Sequence, residues 1–62
     1  MNEIQLAFKE EQLCKIEKEY SKLMRRSFEV ALTNREKAGN IHDKAEELFV
    51  EIIETREALN LN

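Results

Sequence analysis

No proline interrupts this chain and its only glycine is Gly39, so almost nothing in it can stop a helix once one has started. The spacing of apolar residues shows that helices do start. From Ile41 to Leu59 the sequence reads IHDKAEELFVEIIETREAL, with Ile41, Ala45, Leu48, Ile52 and Leu59 recurring at steps of three, four or seven. Phe49 and Ile53 widen that stripe, and Asp43, Glu47, Glu51, Glu54 and Glu57 hold the opposite face. This is the pattern of an amphipathic helix. An earlier stripe runs through Leu6, Leu13, Ile16, Tyr20, Leu23, Met24, Phe28 and Ala31, drifting at Leu23/Met24 and Ser27/Phe28 as a 3.6-residue period does. Ile4, Ala7 and Phe8 do not all fall on it, which marks the N-terminal turns as frayed or partner-contacting.

Two striped helices in 62 residues predict an all-α antiparallel helical hairpin, one domain over residues 1–62. Two sites suit the turn. Gly39-Asn40 can close the first helix, with Arg35 and Lys37 in its last turn and Asp43 and Glu46 capping the next. Alternatively, the break lies near 32–34, where Thr33-Asn34-Arg35-Glu36 has the form of a capping box. The glycine is preferred, because inside a helix it costs ~1 kcal/mol relative to alanine. That choice predicts helices over about 3–37 and about 43–59, and leaves Leu6, Leu13 and Ile16 beyond the reach of the shorter arm. The last three residues, Asn60-Leu61-Asn62, read as loose.

A chain this short is marginally stable without support from disulfides, metals or oligomerisation. The single cysteine, Cys14, cannot close an internal disulfide, and no zinc-type Cys/His set is present. Self-association therefore remains, and a homodimeric helical bundle is expected. Its interface is expected to draw on Leu13, Ile16, Tyr20, Leu23, Phe28, Leu48, Phe49 and Ile52. Charge supports antiparallel contact: residues 1–40 hold eight Lys/Arg against seven Asp/Glu, while residues 41–62 hold two against six. No apolar run approaches the ~20 residues of a membrane span, and the first residues do not read as a signal peptide. With the free thiol, these features point to a cytoplasmic protein without membrane partners.

Few residues offer chemistry. Lys15, Lys18, Lys22, Arg25 and Arg26 fall on one helical face. The plain reading is a solvated face balanced by Glu11, Glu19 and Glu29, with Lys15 pairing to Glu19; the alternative is contact with a nucleic-acid backbone. The aromatics do not interleave with these cations as a base-stacking platform would. His42 with Asp43, Glu46 and Glu47 reads as the acidic start of a helix, and Cys14 as a small buried hydrophobe. No nucleophile–base pair or phosphate loop is present. The expectation is a non-enzyme with no catalytic residues, cofactor or metal.

Ile41-His42-Asp43-Lys44-Ala45-Glu46-Glu47-Leu48-Phe49 resembles the second helix of the Rop family, with the shared form apolar-His-Asp-x-Ala-acid-Glu-Leu-aromatic and a similar chain length. The resemblance implies a helical hairpin that dimerises into an antiparallel four-helix bundle, in a family of plasmid-encoded regulators that bind paired RNA loops. Where that family presents an asparagine, an aromatic and a glutamine to RNA, this chain has Glu10, Cys14 and Lys18, so no RNA-contact residue carries over. The functional expectation is a small non-enzymatic regulatory or adaptor protein of plasmid or phage type, acting through helix-mediated protein-protein interaction and self-association. Nucleic-acid binding by the basic face is the alternative.

Overall fold

The computed structural model describes residues 2–59. Two helices, α1 (Glu3–Ala31) and α2 (Arg35–Leu59), lie antiparallel in a rod of 47 × 14 × 14 Å. The all-α hairpin expected from the two stripes is the observed fold, and no strand occurs among the described residues. The loose reading of Asn60-Leu61-Asn62 lies outside those residues.

Each helix starts on an asparagine. Asn2 Oδ1 accepts the Gln5 N–H at 2.8 Å, and Gln5 Oε1 accepts the Asn2 N–H at 3.4 Å, a reciprocal box that satisfies two otherwise unpaired donors. Asn34 repeats half of this for α2, its Oδ1 accepting the Lys37 N–H at 3.0 Å. Between them the Val30 carbonyl closes the turn, accepting from the Thr33 N–H, the Asn34 N–H and the Thr33 hydroxyl.

The turn is thus at Leu32-Thr33-Asn34, and the preferred glycine break is wrong. The first helix ends at Ala31 rather than about Lys37, and the second begins at Arg35 rather than about Asp43. Gly39 sits exposed inside α2. Two extra turns of α2 bury Ala38 against α1, and that packing outweighs the ~1 kcal/mol propensity cost of a helical glycine. The capping box read at Thr33–Glu36 is displaced by one residue, since Asn34 is the cap and Thr33 bonds backwards. With arms of 29 and 25 residues, α2 reaches most of α1. Leu13, expected beyond that reach, is buried with Ile52 and Leu59, and Ile16 and Tyr20 pack against them.

The core is a heptad line. Ala38, Ala45, Ile52 and Leu59 are buried at intervals of seven, and on α1 Leu13, half-buried Tyr20 and Ser27 keep the same interval. A strict seven-residue repeat keeps one seam facing a neighbouring helix. The stripe therefore does not drift onto Phe28, which is 69% exposed while Ser27 is buried. The Ser27 hydroxyl donates to the Ala38 carbonyl across the pair at 3.1 Å. Only small residues at both positions let one helix reach the other's backbone.

Candidate interaction surfaces

A hairpin of two helices has two broad sides. Relative to the buried line on each helix, residues three ahead fall to one side and residues four ahead to the other. Because the helices run antiparallel, the same offset lies on the same side in both.

The first, the Leu23 side, carries Ile16, Leu23, Val30, Ile41 and Leu48, all half-buried, ending in Thr55. They are the flank of the core, covered on one edge by the facing helix and open on the other. Leu23 and Ile41 face each other across a shallow groove rimmed by Arg26, Lys37 and Lys44. Farther from the turn the same rim carries Glu19 and Glu51, both exposed.

The second, the Phe49 side, is built differently. The Tyr20 and Phe49 rings pack with centroids 5.8 Å apart at 36°. Next to them Arg56 Nη2 donates to Glu17 Oε2 at 2.7 Å, tying the two helices together. Both partners are nearly half exposed, so this pair contributes at most about 1 kcal/mol. Phe28 and Ile53 extend the apolar surface of this side, and Phe49 is itself 47% exposed.

The residues expected at an oligomer interface therefore separate. Leu13 and Ile52 are used inside the hairpin. Tyr20 joins that core from the Phe49 side. Ile16, Leu23 and Leu48 share the Leu23 side, whereas Phe28 and Phe49 lie opposite them. Val30 was not on the expected α1 stripe, and neither Val30 nor Ile41 was among the residues expected at an interface, yet both lie on the Leu23 side. Their spacing of seven from Leu23 and Leu48 was the available signal.

Of the five basic residues expected on one face of α1, all are exposed, but Arg26 rims the groove of the Leu23 side. Lys18, Lys22 and Arg25 border one shallow groove together with Cys14, Glu17 and Ser21. The balancing pairs expected there are largely missing: Lys15 meets Glu11 at 3.7 Å rather than Glu19. Among the described residues, Lys18, Lys22, Arg25 and Arg26 have no carboxylate within ion-pair distance. Cys14, expected to be buried, is exposed, because it falls one position beyond the buried Leu13.

His42 also departs from its expected setting. It lies two turns inside α2, so its acidic neighbours do not mark a helix start. His42 Nδ1 is 3.5 Å from Glu46 Oε1, and Asp43 brings a third donor, the three ligand atoms lying within 4.8 Å of one another. All three sit on one open helical turn with no wall to exclude water. An ion there would keep most of its hydration shell, and the cluster provides no pocket for a substrate.

No helix among the described residues is long and apolar enough to cross a membrane. No family model, curated protein or solved structure matches the chain.

Proposed function

We propose that this chain is a small non-enzymatic regulatory or adaptor protein of the cytoplasm that works through helix-mediated self-association and docking. The observation that carries the reading is the surplus of apolar side chains over what two helices can cover. Among the described residues five apolar side chains are buried, while Ile16, Leu23, Val30, Ile41 and Leu48 are only half-covered and Phe8, Phe28, Phe49 and Ile53 are exposed. Cores of chains below ~70–80 residues rarely supply more than 3–5 kcal/mol, so a second subunit is the natural complement. The local likeness of residues 41–49 to the Rop family points the same way, toward a plasmid- or phage-type regulator built as a dimeric bundle. Sedimentation equilibrium between 1 and 100 μM tests the reading. A dimer or higher species is the expected outcome, and a cooperatively folded monomer across the range overturns it.

A second reading is favoured by one observation: four neighbouring cations in the second half of α1 have no ion pair among the described residues. Lys18, Lys22, Arg25 and Arg26 could follow a phosphate backbone. Gel shifts with structured RNA and duplex DNA at two salt concentrations test it. A shift that weakens steeply with salt, and is lost on Lys22→Glu with Arg25→Glu, supports nucleic-acid binding. No shift at low salt ends it.

A further inference from the structure

We infer that the turn-end half of the Leu23 side is a docking groove for an acidic amphipathic helix presented by a partner protein. This rests on the docking part of the reading above and names the chemistry of what docks.

The floor fixes the kind of contact. Leu23 and Ile41, both half-buried, face each other there, and Arg26, Lys37, Asn40 and Lys44 rim them. The groove is shallow and holds about 300 Å³, the lower end for ligand pockets. Such a shape does not enclose a small molecule. It takes one or two bulky apolar side chains from a helix laid along it.

The rim fixes the sign of the partner. All its charges are positive, and among the described residues none of the three cations has a carboxylate within ion-pair distance. Glu29 and Glu47 come three residues after Arg26 and Lys44 but do not line the groove. The whole chain carries a net charge of −3, so this positive patch is a local feature set against the general trend of the surface. Cations around an aliphatic floor favour a segment that combines carboxylates with apolar residues, and they reject a basic one. Nucleic acid suits the groove less well, because phosphates need no aliphatic floor and neither Leu23 nor Ile41 offers a ring on which a base can stack.

The spacing fixes its form. Lys37 and Lys44 are seven residues apart on α2, about 10 Å along the axis. Arg26 lies across the groove on α1. A helix lying along the groove repeats at the same interval. Carboxylates seven apart on one of its edges meet Lys37 and Lys44, and a carboxylate on the other edge meets Arg26. Apolar residues three or four apart between those edges reach Leu23 and Ile41. Farther from the turn the rim carries Glu19 and Glu51, which confines the charge match to the turn end. Docking here leaves the exposed Phe28, Phe49 and Ile53 of the opposite side free for self-association.

Fluorescence anisotropy on the full chain tests the assignment, using a labelled peptide of about 18 residues, long enough to hold a helix. Its leucines recur at steps of three and four, and glutamates flank them. The wild-type chain should bind this peptide, more weakly as salt rises. Replacing the peptide's glutamates by lysines, or its leucines by serines, should weaken binding about tenfold or more. Lys37→Glu and Lys44→Glu should each weaken it about fivefold, while Lys15→Glu, the same charge change outside the groove, should alter it less than about twofold. All three sites are exposed, and circular dichroism checks that each variant stays helical. If the folded chain ignores the acidic peptide, or Lys15→Glu weakens binding as much as Lys44→Glu, the assignment is overturned; self-association is still decided separately by sedimentation. Equal binding of the lysine peptide overturns it too. If structured RNA is the ligand that Lys37→Glu releases, the groove holds phosphates and the assignment is overturned. If saturating peptide splits a self-associated chain into single hairpins in sedimentation, the groove is the seat of a second copy, which overturns it as well.

Discussion

Gly39 and Asn34 carry opposite local signals, and both can be read by substitution. A Cβ added at Gly39 meets nothing within 4 Å, and the residue lies inside a helix. Gly39→Ala should therefore stabilise the fold by about 1 kcal/mol, measured by urea denaturation with an unchanged slope. Asn34→Ala removes the acceptor for the Lys37 N–H at the start of α2 and should cost about 1 kcal/mol in the same experiment. Had the turn been at Gly39, the first substitution would instead have destabilised the chain. The pair of measurements thus tests the position of the turn directly. The sequence contained both asparagine and glycine signals. It could not rank them, because the decisive term is the burial of Ala38 against a distant helix.

At the scale of the helices, the apolar stripes announced two amphipathic segments and their antiparallel pairing. Their contact line was harder to read. Phe28 is the more hydrophobic neighbour of Ser27, and propensity offers no reason to bury the serine. The reason lies across the pair, where a small residue lets Ser27 reach the Ala38 carbonyl. Cys14 was misread for the same cause, since register between helices is a non-local property. Ala45 is fully buried at 0% exposure, on the same seven-residue line as Ala38. Ala45→Leu should overpack this seam and cost about 1–3 kcal/mol, seen as a lower denaturation midpoint. A gain in stability would mean that the helices sit farther apart than the described register allows. The two sides of the hairpin were not legible: Ile16, Leu23 and Leu48 were grouped with Phe28 and Phe49, which the register puts on the other side.

For the whole molecule, shape and surface argue together. A rod 14 Å thick has no interior beyond one seam, so much of its apolar content stays at or near the surface. If the hairpin self-associates as proposed, the thermal midpoint of wild-type protein should rise with concentration between 5 and 500 μM, because association stabilises the folded state by mass action. A midpoint independent of concentration would oppose that assembly.

The bond between Ser27 and Ala38 joins residues only eleven apart in the chain. Closing a loop of about ten residues takes some 10–100 ns, far less than gathering distant segments. Folding should then begin at the turn and run outward like a zipper, with Leu13, Ile52 and Leu59 meeting late. In stopped-flow or temperature-jump relaxation, Ala38→Gly should mainly slow folding, and Leu59→Ala should mainly speed unfolding. The hairpin would be ordered at its bend before its open end exists, so a chain cut short in α2 could still form the bend.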